Sequence, residues 1–199
     1  MPPRFVYTAP DRQFSCPLQC QQCEAQSATT GQRCRKRACI GVPLCWQHLL
    51  SERHLRIRAS GLGAAAGDGL WAQRSRVAPA AGAPGREVLF REGDLITYYD
   101  GEVVTPEILQ ARYGDLTAPY GIATRGAHRE DGACRRGPGS VANHRGQRPN
   151  ARFSYAAGQG DRATLRATRV IRDGDEIFVS YGRQYALHEE GVSHATRRR

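Results

Sequence analysis

A mainly β chain with little helix is what this sequence predicts, and three observations carry that reading. From Leu55 onward, short apolar runs are separated by glycine, the texture of a fold made of many small strands. A full set of helix start and stop signals occurs in one stretch, around residues 105–114. The length, 199 residues with 40% hydrophobic content, suits one domain with a core and a modest appendage.

The elements follow in chain order. Residues 1–15 show neither a helical nor a strand period and read as a leader. Residues 16–50 read as a cysteine-rich module. Six of the seven cysteines fall there, in a polar, arginine-rich setting with too few apolar residues for an independent core. Strands are expected at Leu55–Arg58, Gly69–Ala72, Asp94–Tyr99, Ala163–Thr168 and Glu176–Ser180. The helix has Thr105 as N-cap, Pro106 at its first position, Glu107 in the first turn and Gly114 beyond its end. Val77–Gly85, rich in Ala, Pro and Gly, reads as a loop inserted between strands, and the polar Gly126–Gly139 as a segment bordering a substrate groove. The main domain therefore spans residues 51–187. Residues 188–199, closing in three arginines, read as a disordered basic tail.

Composition narrows the function classes. No 18-residue apolar run exists, so no membrane span is expected. The opening Met-Pro-Pro-Arg-Phe-Val-Tyr lacks the apolar stretch of a secretory signal, which gives a cytosolic or nuclear protein with reduced thiols as the expectation. Net charge is +10, and 28 of the 29 basic residues are arginine, Lys36 being the exception. That excess favours acidic partners such as nucleic acid or chromatin.

Cys23-x10-Cys34-x10-Cys45-x2-His48 supplies four metal-ligand side chains within 26 residues. Zinc takes four soft or borderline donors in a tetrahedron, and a closed Cys3His set leaves no position for water. Binding energy would replace the missing core, so the metal is read as structural. Thr30-Gly31 and Gly41-Val-Pro43 offer the bends that let the ligands converge. Disulfides and free thiols are the alternatives. Cys16, Cys20 and Cys39 are left over and, with His54, form a speculative second set. The segment Cys23–His48 resembles a small zinc-binding module of the Cys…Gly-x-x-Cys…Cys-Trp-x-His type.

Four further segments act together. Ser60–Ala72 contains Gly67-Asp-Gly69-Leu-Trp71-Ala72; Ile96–Glu102 contains Tyr99-Asp-Gly101-Glu102; Gly139–Asn150 contains Asn143-His144 and Pro149-Asn150; Gly174–Gly182 is an apolar strand ending in Tyr181-Gly182. In this order they resemble the SET-domain protein-lysine methyltransferases, across roughly Leu55 to Tyr185. The resemblance implies a fold of small β-sheets with a knot-like crossing near the C-terminus, and S-adenosylmethionine as cofactor. It implies that main chain around Gly67, Asp68, Gly69, Leu70 and Trp71, together with Asn143, His144, Tyr181 and Tyr185, binds that cofactor. Tyr181 and Tyr99 are implied as the catalytic tyrosines, with Tyr99, Phe153 and Val179 lining the lysine channel. His144 is implied as a positioning residue rather than a base, and Glu176 as a turn-stabilising carboxylate.

The chain departs from the family's usual Asn-His-Ser-Cys: Arg145 and Gly146 follow His144, and one extra residue precedes Pro149-Asn150. The expected activity is methyl transfer to the side-chain amine of a protein lysine, a histone tail being one candidate, held by an acidic groove from Asp94, Asp100, Glu102, Glu107 and Asp115. The rival expectation is a catalytically idle domain that binds chromatin or nucleic acid through its arginine-rich zinc module.

Overall fold

The computed structural model describes residues 4–18, 21–38, 43–77, 79, 83–115, 118–124, 126–155, 162–182 and, for the backbone, 193–196. Among the described residues it is a mainly β structure of five small sheets and two short helices, with no barrel. The strands read from sequence are present: β3 (Leu55–Ala59), β4 (Asp68–Ala72), β6 (Leu95–Tyr98), β12 (Ala163–Ala167) and β14 (Glu176–Val179). Helix α2 (Pro106–Tyr113) begins where its signals place it. The Thr105 side chain accepts from the Ile108 amide, and Gly114 closes the helix at φ 70°, which a side chain would disfavour.

The N-terminus departs from expectation. Residues read as a leader form a hairpin of β1 (Arg4–Ala9) and β2 (Arg12–Pro17). Phe5, Tyr7 and Ala9 alternate inward on β1 and pack with Tyr113 and Ala133 into a core of their own. The tail also departs: β15 (Ser193–Thr196) pairs antiparallel with β1. The reduced-thiol expectation fails at one pair, since Cys16 of β2 is bonded to Cys134, 118 residues later. Cys16 is thereby removed from any second metal set, and Cys20 and Cys39 lie outside the described residues.

The segment read as bordering a groove contains β9 (Arg129–Asp131), flanked by β7 (Glu102–Val104) and β8 (Gly121–Ala123). It buries two carboxylates. Asp131 accepts from Arg112 and Tyr113, and Glu130 from Arg162. Burial leads the causes that hold the Glu130 carboxyl above its ordinary range, and the nearby Arg162 opposes them.

Helix α1 (Trp46–Arg53), not foreseen, straddles the boundary read at residue 50. Its Leu49 enters the main core beside Leu55, Leu70 and Ile177, so the cysteine-rich module is packed into the domain. None of the described helices is long and apolar enough to cross a membrane.

Candidate functional site

One four-stranded sheet assembles three of the four motif segments. Its order is β10 (Asn143–His144), β14, β4, β3. Thus β14 lies between the Asn-His strand, which pairs parallel to it, and the Gly-x-Gly strand, which pairs antiparallel. Asn150 fastens the crossing: its side chain donates to the Glu176 carbonyl and accepts from the Phe178 amide, both at 2.8 Å. The side-chain amide supplements the backbone at this buried point, where the Asn150 N–H also donates to the Phe178 carbonyl at 3.2 Å. The motif contained Asn150, but only tertiary structure gives it this role.

The two glycines have different reasons. Gly67 takes φ +65°, a conformation that favours glycine, with open space where a Cβ would project. At Gly69 a Cβ would press on the Glu176 carboxylate and force it off its Ser60 and Gly61 partners. Glu176 itself is 6% exposed and reaches far beyond its own turn. It accepts from the Ser60 hydroxyl at 2.6 Å and the Gly61 amide at 2.7 Å, while the Asn143 amide nitrogen stands 3.5 Å away. Asp175, not Glu176, holds the local turn, accepting from the Arg172 amide.

Asn143 donates to the Asp68 carbonyl at 3.1 Å, joining the two cofactor-type segments directly. His144 accepts the Tyr181 amide on Nδ1 at 3.0 Å, and the two rings lie 5.2 Å apart. A neutral His144 therefore carries its proton on Nε2, and its ring positions Tyr181. Leu70 points into the core, so its side chain is unavailable to a ligand and only its backbone remains. Trp71 presents a buried Nε1 with no hydrogen-bond partner, beneath an Arg58 guanidinium 3.7 Å from its ring whose Nε is equally unpartnered. Burial first, then the neighbouring Arg56 charge, lowers the Arg58 pKa. Unsatisfied buried donors beside glycine backbone fit an acceptor group such as the α-carboxylate of S-adenosylmethionine. Tyr185 lies outside the described residues.

Next to this sheet is a cavity of about 70 Å³ lined by Tyr99, Tyr120, Ile122, Ala142, Phe153 and Tyr181, among others. The Tyr181 hydroxyl donates to the Ala142 carbonyl at 3.0 Å, and the Tyr99 hydroxyl to the Tyr120 carbonyl at 2.5 Å. Phe153 stands edge-on to Tyr99, with centroids 5.7 Å apart. Burial, followed by the neighbouring Tyr181 and Asp131, holds the Tyr99 phenol well above its ordinary pKa, so it stays protonated at neutral pH. Val179 is a correction. It is fully buried in the main core, because every residue of β14 is buried, and it does not line the cavity. Four of the five acids expected to line a groove are engaged locally instead. Glu102 pairs with Arg112, Asp94 closes a turn at Arg91, Glu107 bonds Thr105 and Asp115 accepts from Gln110.

The second site is the predicted ligand set. Cys23 and Cys34 come from a two-bridge ribbon turned at Gly31, while Cys45 caps α1 and His48 lies in its first turn. Their four ligand atoms lie within 4.8 Å of one another. Bonds of about 2.3 Å in a tetrahedron set sulfurs roughly 3.8 Å apart, so the cluster fits zinc. The Cys45 amide also donates to the Cys23 sulfur at 3.2 Å, and the Lys36 amide to that of Cys34 at 3.5 Å, contacts that suit thiolates. Residues 41–42, the second predicted bend, lie outside the described residues.

No curated protein matches the chain. The SET-domain family model matches residues 84–182, covering the cavity strands and the crossing. The Gly-x-Gly strand lies upstream of that match and is joined to it by β4–β14 pairing and by Asn143. The chain therefore belongs to the SET-domain family, whose members are in general protein-lysine methyltransferases.

Proposed function

We propose that this protein transfers methyl groups from S-adenosylmethionine to the side-chain amine of a protein lysine, with a histone tail as the candidate substrate. The observation that carries the reading is the aromatic cavity beside the crossing, where Tyr181 is fixed by both His144 and Ala142. When bound, the cofactor supplies a methyl carbon on a cationic sulfur. The chain's own task is to deliver a neutral amine, and free lysine is uncharged in only about one molecule in 2,500 at pH 7. A cavity walled by Tyr99, Phe153 and Tyr181 disfavours the ammonium form and excludes water. The fixed phenols of Tyr99 and Tyr181 orient the amine, which converts encounter into alignment.

The departure at Arg145 leaves this arrangement standing: the Arg145 amide donates to the Val179 carbonyl, extending the β10–β14 pairing. Incubation with labelled cofactor and a lysine-peptide panel tests the proposal. Tyr181→Phe should lower kcat by about 100-fold or more while cofactor affinity stays nearly intact, because the phenol acts at the reacting centre. Calorimetry showing no cofactor binding to folded protein would instead favour the idle-domain reading, with chromatin or nucleic acid as partner.

A further inference from the structure

A wide cleft opens on the zinc module, away from the methyl-transfer cavity. About 730 Å³ in volume, it is lined by fifteen residues that include Arg33, Arg35, Lys36 and Arg76 but no aspartate or glutamate. Trp46 stands in it as a large exposed aromatic, 48% accessible. Two cations stand near the indole, Lys36 Nζ 5.8 Å and the Arg76 guanidinium 5.3 Å from its ring centroid. Arg33 is tied to the Cys23 and Gln22 carbonyls and acts as a fixed charge, whereas Arg35 and Arg76 are exposed. Lys36 is held by Gln47. Ser27, Thr29, Thr30 and Ser51 add hydroxyls along the wall.

Four cations without a counter-acid repel one another unless an anion joins them. An exposed tryptophan among them costs hydration unless a flat apolar surface covers it. One ligand class answers both: a chain of phosphates carrying unpaired bases. We propose that this cleft binds single-stranded nucleic acid, with a base stacked on Trp46 and the phosphates on either side met by Arg35, Lys36 and Arg76. A duplex keeps its bases stacked on each other and leaves the indole uncovered. An acidic peptide satisfies the cations but not the ring. Because Arg76 belongs to the loop after β4, the cleft joins the zinc module to the catalytic body. The proposal does not depend on methyl transfer.

The test uses full-length, zinc-loaded protein and a fluorescein-labelled oligo(dT) of about 12 nucleotides, followed by anisotropy across salt. Three phosphate contacts predict a slope of log affinity on log salt of roughly −2. Trp46→Ala should lower affinity roughly 5- to 100-fold, the usual range for one stacked base, while Trp46→Phe keeps most of it. The double variant Arg35→Glu, Arg76→Glu should weaken binding further and flatten the slope, with zinc content unchanged as the control for folding. The proposal is overturned by absent binding at about 50 mM salt, where electrostatic binding is strongest. It is equally overturned if both variants bind like the parent, which puts the contact elsewhere on this basic chain. Tighter binding of the matching duplex, or equal displacement by an oligoglutamate peptide, also sinks it.

Discussion

The hairpin at residues 4–17 and the zinc module at residues 21–53 adjoin in sequence and attach to the same body, yet they are held by opposite means. The hairpin is fixed from outside. Phe5 and Tyr7 pack on Tyr120 and Tyr113, more than 100 residues away, and Cys16 bonds Cys134. The module is fixed from inside, by four ligand atoms contributed within 26 residues, and meets the main core mainly through Leu49 of α1, with Leu44 packed beside it. They also support different parts of the site. The hairpin backs the aromatic cavity, because Phe5 packs edge-on to Tyr120, whose carbonyl accepts the Tyr99 hydroxyl. The module backs the Gly-x-Gly strand through α1 and β3.

The largest expected effect comes from breaking the internal fastening. Cys34→Ser, or chelation, should abolish stoichiometric zinc, since a serine hydroxyl is a poor ligand. Structural zinc sites are worth about 10 kcal/mol or more of apparent binding energy, so the module should unfold. Leu49 then leaves the core. Proteolytic sensitivity should therefore extend past residue 53, and Tm of the whole chain should fall by about 10 °C or more. A loss confined to the first fifty residues would show that the module is an independent unit after all.

Breaking the external fastening should cost less. Replacing both Cys16 and Cys134 by serine opens a loop of 118 residues, for which chain entropy sets a ceiling of roughly 5 kcal/mol. Zinc content should be unaffected, and that contrast separates the two regions. A Tm matching the parent's would mean that the aromatic packing alone holds the hairpin.

The contrast also explains what was legible in the sequence. Ligand spacing is local, so Cys23, Cys34, Cys45 and His48 could be read without a partner. The α2 helix was equally legible, because Thr105, Pro106 and Gly114 act on their own neighbours. Gly67, Gly69, Asn143 and Tyr181 were legible as a family pattern, and the sheet brings them together. The hairpin was not. Only three inward residues mark β1, and its core partners and disulfide partner come from the far side of the chain. Val179 was placed in the channel by the family resemblance alone, from its position two residues before Tyr181, whereas β14 is covered on both faces and seals that side chain in the core.

A smaller effect separates the regions by function. Phe5→Ala should destabilise by about 3–5 kcal/mol as a core truncation. Below the transition, it should raise KM for peptide while leaving cofactor affinity unchanged, since Tyr120 loses its backing and the Gly-x-Gly strand does not. Equal losses in both constants would mean that the hairpin supports the domain generally rather than the cavity.

The smallest effect lies inside the cavity that the hairpin backs. The resemblance to SET-domain enzymes implies that the number of methyl groups added depends on whether Val179 or Phe153 offers a hydroxyl to the channel; Val179 is sealed in the core, which leaves Phe153. Its ring faces Tyr99 without a hydroxyl, so no phenol there retains a water in the space a further methyl needs. The parent enzyme should therefore proceed beyond monomethyl product. Phe153→Tyr adds one oxygen to a cavity of about 70 Å³, enough to anchor a water and shift products toward fewer methyl groups. The total rate of the first transfer should change little, because the added hydroxyl competes with later methyls and not with the free amine. Mass spectrometry of a methylated peptide at long reaction times reads the outcome. Arrest of the parent at monomethyl would remove Phe153 from this role and direct attention to Tyr120, the other ring on that wall.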